Sequence, residues 1–242
     1  MLNVNSAFGG DPVCMYQEHG FAILRAYNDK EVRILEKFTR KWINELLVKW
    51  VKERESILPI ENYHVWSKSL PIAHRDILDA SHRHIVPEAR IKTILINDKI
   101  NNFFQKLGIK KFDIWNEGLG WLAFRLIRPG MRDGYPFSRK AWGPASNVIS
   151  AWVPIIGHSP RETLTVVPNS HLKEYKKYLP LGDKFMKNEY RLLMKSIDLD
   201  CYSPRLKKGE IILYHPKMLH TEDVISSDVT RLNLEFRLNP EI

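Results

Sequence analysis

Apolar and polar residues alternate strictly near the end of the chain, from 231 to 238. One set of alternate positions is apolar: Leu232, Leu234, Phe236 and Leu238. The intervening set is polar: Arg231, Asn233, Glu235 and Arg237. A period of two is typical of a strand with one buried and one exposed face, so this segment predicts a half-buried strand.

A helical period governs the first third of the chain. Asn28 precedes Glu31 by three positions, the spacing of a capping box, and apolar residues then recur at helical spacing. These residues are Val32, Leu35, Phe38, Trp42, Ile43, Leu46, Leu47 and Trp50. We expect a helix over 29–54 that packs its apolar side on the core. Further helices are expected over 87–107, with a new cap at Asn97 or Asp98.

The pattern changes near Lys111 from helical to strand-like. Short runs bounded by turns predict about eight strands; they cover 112–115, 121–128, 147–156, 163–167, 199–202, 210–214, 219–224 and the segment from Thr230. A polar helix is expected over 184–196, and residues 1–15 are expected to be loose. The order predicts a single mainly β domain, a jelly-roll (double-stranded β-helix, cupin-like) barrel over 111–242 with helices flanking it in 1–110.

The composition limits the class of protein. A net charge of +9 and an isoelectric point near 9.4 favour anionic partners. No helix-turn-helix, zinc-finger or RNA-recognition pattern indicates nucleic acid. Cys14 and Cys201 are too few for a disulfide framework. The sequence has no basic and apolar leader and no apolar run of about 18 residues, so we expect a cytoplasmic protein without membrane association.

His220 and Arg231 carry a resemblance to a known family. His220 follows a predicted strand, and Arg231 opens the last one, 11 positions later. Three earlier blocks stand in the same order: Phe-Arg-Leu-Ile-Arg-Pro-Gly at 124–130, Ser-Ala-Trp-Val-Pro-Ile at 150–155, and Leu-Thr-Val-Val-Pro-Asn-Ser-His at 164–171. Together they resemble the phytanoyl-CoA dioxygenase-like family of iron(II)/2-oxoglutarate oxygenases.

The resemblance implies a role for both residues. In that family the last histidine of a His-x-Asp…His triad binds iron, and the following arginine holds the distal carboxylate of 2-oxoglutarate. On that pattern His220 is a metal ligand and Arg231 binds the cofactor 2-oxoglutarate. The residue types suit these roles, because iron oxygenases use a facial triad with open positions. An arginine fork also matches a carboxylate.

The chain departs from the family where the His-x-Asp pair belongs. The segment 131–142 contains no histidine, and the family's pattern falls on Pro136-Phe-Ser-Arg-Lys or one residue away. The His and Asp positions therefore hold Phe, Ser, Arg or Lys, and a cation there repels a metal. We expect a site near His220 that lacks iron or holds it weakly. Replacing Ser138 by His and Lys140 by Asp is expected to create iron affinity.

Four interpretations stay open. Iron could be held with the help of Asp133 and a histidine from 64–84. The chain could be a metal-free relative that serves as a binding or structural protein. It could be an enzyme with metal-free chemistry on an anion clamped by Arg139, Lys140 and Arg231. Finally, the ligands could have been altered in this chain.

A basic cluster marks the expected pocket mouth. It comprises Arg125, Arg128, Arg132, Arg139 and Lys140. Trp142 follows it and offers a ring on which a sugar or base could stack. Such cations bind phosphates and carboxylates, although a solvated rim is the alternative. Because members of the resembled family act on small metabolites and carbohydrate-linked intermediates, we expect an enzyme whose substrate is a sugar phosphate or sugar nucleotide.

Overall fold

The computed structural model describes most of the chain. The described residues are 10–48, 59–69, 73–81, 88–114, 122–131, 133, 138–139, 148–160, 163–173, 179–180, 190–191, 199–222 and 225–240. Among the helices in these ranges, none combines the length and the apolar character needed to cross a bilayer.

Six α-helices are described, and all of them precede the β-rich half, which begins at Phe112. Their bounds are α1 Pro12–His19, α2 Asp29–Val48, α3 Tyr63–Trp66, α4 His74–Ser81, α5 Ala89–Leu95 and α6 Asp98–Lys106. The predicted capping box is confirmed, since Asn28 Oδ1 accepts hydrogen bonds from the Lys30 and Glu31 amides and Glu31 Oε2 accepts one from the Asn28 amide. The predicted helix over 29–54 is described as far as Val48.

The strands form two antiparallel sheets. Their bounds are β1 Phe21–Arg25, β2 Phe112–Ile114, β3 Leu122–Ile127, β4 Ser138–Arg139, β5 Ile149–Ile156, β6 Leu164–Val166, β7 Leu179–Pro180, β8 Tyr190–Arg191, β9 Glu210–Tyr214, β10 His220–Glu222 and β11 Arg231–Pro240. The larger sheet has six strands in the order β1-β9-β5-β11-β2, with β3 also paired to β11. The smaller has five strands in the order β6-β10-β4-β8-β7. Among the described residues the two sheets do not join into a closed barrel, so the mainly antiparallel β fold with helices is confirmed without that closure.

The larger sheet is buried on both faces. Its outer face packs against the helices, where Leu213, Val153 and Leu234 join Leu35 and Phe104 in one apolar cluster. Its inner face meets the smaller sheet through a second cluster, which includes Phe21, Trp152, Leu164, Val166, Ile212, Tyr214 and Met218. The protein is therefore layered as helices, a six-stranded sheet and a five-stranded sheet.

β11 differs from the prediction of a half-buried strand. Its apolar positions face the helices, as the alternation predicts. Its polar positions are also buried, however, and Arg231, Asn233 and Glu235 are 1%, 0% and 5% exposed. The smaller sheet covers the face that period-two patterning assigns to solvent. A buried polar face needs internal partners, and those partners form the candidate site.

Other predictions need correction or fall outside the described residues. Residues 1–15 were expected to be loose, but α1 occupies part of them; Pro12 at its start and Gly20 at its end, with φ of 81°, are ordinary helix boundaries. The polar helix over 184–196 is wrong where the structure describes it, because Tyr190–Arg191 pairs as a strand with β4 and β7.

Candidate functional site

His220 begins β10 and is buried between the sheets, with 5% of its surface exposed. Its Nδ1 lies 3.0 Å from the Met218 carbonyl oxygen. A carbonyl only accepts, so Nδ1 is the donor in this hydrogen bond. The ring centroid is 4.7 Å from that of Tyr214 on the larger sheet. His220 is thus a fixed imidazole whose Nε2 has the chemistry of a ligand or a base.

Backbone pairing places Ser138 opposite His220. β10 lies between β4 and β6, and its antiparallel registers join His220 to Ser138 on one side and to Val166 on the other. Opposed residues of an antiparallel pair have Cα atoms about 4.5 to 5.5 Å apart. Ser138 therefore occupies the strand position beside the candidate metal histidine. Ser138 belongs to the segment Pro136-Phe-Ser-Arg-Lys, on which the His-x-Asp pattern of the resembled family falls.

Arg231 lies at the start of β11, on the other sheet. His220 and Arg231 therefore lie on different sheets, and both are buried. The Arg231 guanidinium carbon lies 5.8 Å from the centroid of the Trp152 ring. Its Nη2 lies 4.0 Å from Oε1 of Glu222, a residue two positions after His220 on β10. Glu222 is thus next to the predicted 2-oxoglutarate arginine.

Glu222 connects the two sheets through one oxygen. Its Oε1 accepts a hydrogen bond of 2.8 Å from Trp152 Nε1 and one of 3.0 Å from Asn233 Nδ2. Both donors belong to the larger sheet, while Glu222 belongs to the smaller. The carboxylate is therefore fixed across the interface between them.

Arg125, a predicted substrate residue, pairs inside the same layer. Its Nε and Nη2 donate to Glu235 Oε2 at 2.9 and 2.8 Å. Tyr214 donates to the other oxygen of Glu235 at 2.7 Å. Burial raises the pKa of Tyr214, so its hydroxyl stays protonated and keeps this donor role. Arg125 thus has a structural partner in the polar layer.

Asp133 lies in a second cluster, at the end of β3. Arg128 donates to both of its oxygens from the guanidinium at 2.8 Å, and from the backbone amide at 2.9 Å. His74 Nε2 is 3.3 Å from Asp133 Oδ2, and His74 Nδ1 is 2.8 Å from the Tyr63 hydroxyl. The structure therefore brings Asp133 to a histidine from the 64–84 segment.

Charge in this second cluster is held as an ion pair beside a neutral imidazole. Although burial opposes it, the hydrogen bonds from Arg128 hold the pKa of Asp133 below its usual range. Burial lowers the pKa of His74 to about 4, against the opposing effect of Asp133. Both Asp133 oxygens are thus committed to Arg128. In the part of the chain that the structure describes, no three His, Cys, Asp or Glu side chains meet as a metal-binding group.

Three of the predicted site residues have no described side chain. Arg139 is placed only by its backbone, which pairs with Tyr190, and Lys140 and Trp142 lie outside the described residues. Sequence reasoning missed Glu222 and Asn233. Glu222 and Asn233 did carry a signal, because each stands two positions from a predicted site residue and so shares its strand face.

Comparisons with known proteins show the fold. No protein-family model and no curated protein matches the chain. Among solved structures, apo ThoJ, a non-heme monooxygenase, has a TM-score of 0.61 at 12% identity over 95% of this chain and 77% of ThoJ. The epimerase SnoN in complex with Fe3+, alpha ketoglutarate and nogalamycin RO has a TM-score of 0.58 at 13% identity, over 94% of this chain and 82% of SnoN. AviO1 from Streptomyces viridochromogenes Tue57 has a TM-score of 0.56 at 11% identity, over 94% of this chain and 93% of AviO1. The chain therefore has the cupin-like fold of these proteins.

Proposed function

We propose that this chain binds a small anionic ligand on the fold of the iron/2-oxoglutarate oxygenases and does so without a facial iron triad. The observation that carries the proposal is the pairing of His220 with Ser138. In the His-x-Asp pattern of the resembled family, a histidine and the aspartate two positions later bind the metal together with the distal histidine. Here these positions in the sequence are Ser138 and Lys140.

The residues do not fit an iron centre. Iron(II) oxygenases need two imidazoles and a carboxylate with open positions. His220 supplies one imidazole, while a serine hydroxyl is not a normal ligand and a lysine ammonium repels the ion. Asp133 is engaged by Arg128 instead. For this reason no reaction step is assigned to iron in the proposed function.

The chemistry that remains is recognition of an anion. Arg139 and Lys140 follow Ser138 directly in the sequence, and Trp142 follows them. Cations bind phosphate, and an aromatic ring stacks on a sugar or base. A sugar phosphate or sugar nucleotide is the ligand class that we propose, either as the substrate of metal-free chemistry or as a bound effector. The blocks at 124–130, 150–155 and 164–171 support a phytanoyl-CoA dioxygenase-like ancestor, with the two sheets as the halves of a double-stranded β-helix.

A second candidate is an iron(II)/2-oxoglutarate oxygenase. It is favoured by the fixed Nδ1–H of His220, which leaves Nε2 as a metal donor, and by the Fe3+ and alpha ketoglutarate in the SnoN complex. In this candidate His220 and Asp133 contribute to the metal site. Arg231 holds the distal carboxylate of 2-oxoglutarate, and Arg125 faces the substrate.

Metal titration separates the two candidates. Protein purified without chelator is titrated anaerobically with Fe(II), and bound iron is counted after gel filtration. We expect well under one equivalent in the wild type. We expect at least a ten-fold gain in affinity for the variant Ser138→His/Lys140→Asp. A Ser138→Ala/Lys140→Ala variant removes the cation without adding ligands and should gain little. Stoichiometric iron in the wild type, lost in His220→Ala and accompanied by 2-oxoglutarate turnover, would establish the oxygenase instead.

Anion binding is measured separately by calorimetry with pyrophosphate and with UDP-glucose. The proposal expects saturable binding of at least one probe, weakened ten-fold or more by Arg139→Ala/Lys140→Ala. The variant Lys110→Ala/Lys208→Ala removes two exposed cations elsewhere and should leave binding unchanged. Equal weakening in both variants would reduce the effect to net charge and contradict the proposal.

A further inference from the structure

The buried arginine of the polar layer lies beside a carboxylate that belongs to the chain itself. Arg231 is 1% exposed, and Glu222 Oε1 lies 4.0 Å from its Nη2, which makes the two a charge pair rather than a hydrogen bond. The Trp152 ring lies under the guanidinium at 5.8 Å. A buried cation is tolerated where an anion compensates it. The chain provides that anion without a ligand.

The position of Glu222 is set by both sheets. Trp152 Nε1 and Asn233 Nδ2 donate to the same oxygen, Oε1, which also faces Arg231. Rotation of the carboxylate away from Arg231 would break both hydrogen bonds. Glu222 is therefore held next to the guanidinium and does not reach it by chance.

The described polar layer contains two arginine–glutamate pairs. Arg125 binds Glu235 through Nε and Nη2, and Arg231 lies against Glu222. A free dicarboxylate brought to Arg231 would add negative charge beside Glu222 in a buried, low-dielectric place, where like charges repel strongly.

We propose that Glu222 is a specificity-determining residue: its carboxylate is held beside the Arg231 guanidinium, so that the interior excludes 2-oxoglutarate and similar dicarboxylates from Arg231. This inference rests on the proposed function. It deepens that function by excluding Arg231 from the proposed anion site. On this inference a neighbour of Arg231 excludes 2-oxoglutarate, even though the arginine itself is present.

The test uses 2-oxoglutarate alone, with metal-free protein. Binding is measured by calorimetry and by the change in melting temperature for the wild type, Glu222→Gln and Glu222→Asp. We expect no saturable binding to the wild type up to millimolar ligand. We expect binding at least ten-fold tighter in Glu222→Gln, which keeps the shape and removes the charge. Glu222→Asp retains the charge and should behave as the wild type. The gain should disappear in Glu222→Gln/Arg231→Gln.

A stability comparison covers the case in which Glu222→Gln folds poorly. Each single change, Glu222→Gln or Arg231→Gln, leaves one buried charge without its partner, so the double variant should melt at a higher temperature than either single variant. A double variant no more stable than Arg231→Gln would overturn the pairing. A folded Glu222→Gln that gains no affinity would overturn the exclusion.

The outcomes also separate this inference from the proposed function. Wild-type protein that binds 2-oxoglutarate without metal, and loses it in Arg231→Gln, contradicts the inference alone. Wild-type protein that takes up stoichiometric iron through His220 but binds no 2-oxoglutarate contradicts the proposed function alone.

Discussion

At the scale of single residues, His74 shows how burial sets a charge state. Its side chain is 9% exposed and lies between the Tyr63 hydroxyl and Asp133. The nearby carboxylate favours an imidazolium, but the loss of water and the Arg128 charge oppose it, and burial lowers the pKa of His74 to about 4. At neutral pH the ring is uncharged and links α4 to the end of β3.

The depressed pKa of His74 predicts a stability that falls with acid. The unfolded histidine titrates near pH 6.5, so between about pH 6.5 and 4 the unfolded chain binds the proton that the folded chain rejects. The free energy of unfolding should therefore fall as the pH drops through this window, by about 2 to 3 kcal/mol from this group. Urea titrations from pH 7 to pH 4.5 should show a shallower loss for His74→Gln than for the wild type. Parallel curves for the two proteins would contradict the assignment.

At the scale of elements, two helices begin at asparagines that make different sets of hydrogen bonds. Asn28 Oδ1 caps α2 through the Lys30 and Glu31 amides, at 2.9 and 3.0 Å. Asn97 Oδ1 caps α6 through the Lys99 and Ile100 amides, at 3.2 and 3.3 Å. Asn97 Nδ2 also donates to the Ala26 carbonyl at 2.8 Å and so attaches α6 to the chain after β1.

We expect Asn97→Ala to destabilise the protein more than Asn28→Ala. Loss of a cap costs about 1 kcal/mol, and loss of the bond to Ala26 adds about another 1 kcal/mol. Asn97→Asp keeps the acceptor for the cap and removes the donor, so it should fall between wild type and Asn97→Ala. Denaturant unfolding measures all three. An Asn28→Ala variant less stable than Asn97→Ala would show that the tertiary hydrogen bond contributes little.

At the scale of the whole molecule, the positive net charge lowers the stability of the fold, and the apolar clusters between its layers raise it. The net charge is +9, and self-repulsion of a compact charged protein lowers its stability. The two apolar clusters, one under the helices and one between the sheets, oppose this repulsion. Screening of this repulsion by salt should therefore stabilise the folded state.

The melting temperature should rise with salt. Raising NaCl from about 10 mM to about 150 mM shortens the screening length from about 30 to about 8 Å. A gain of about 1 kcal/mol corresponds to about 2 to 4 °C for a chain of this size. Lys110→Glu/Lys208→Glu changes two exposed cations and lowers the net charge to +5 (9 − 4), so its melting temperature should depend less on salt. An equal response in both proteins would exclude net charge as the cause.

Local signals in the sequence determined much of the secondary structure. The alternation over 231–238 became β11, and the capping box at Asn28 became the start of α2. Asn169, in the turn after β6, has φ of 63°, a left-handed conformation that asparagine tolerates. These features depend on residues a few positions apart, and their geometry is decided by backbone sterics and near-neighbour hydrogen bonds.

Only the tertiary structure decided what the polar residues meet. Glu222 and its donor Trp152 are 70 positions apart, and His74 at the start of α4 meets Asp133, which follows β3. Periodicity assigns a residue to a face, but it does not state whether water or a second sheet covers that face. Packing of the smaller sheet turned the polar side of β11 into a buried layer. In that layer an arginine that the sequence assigns to 2-oxoglutarate lies against a glutamate of its own chain.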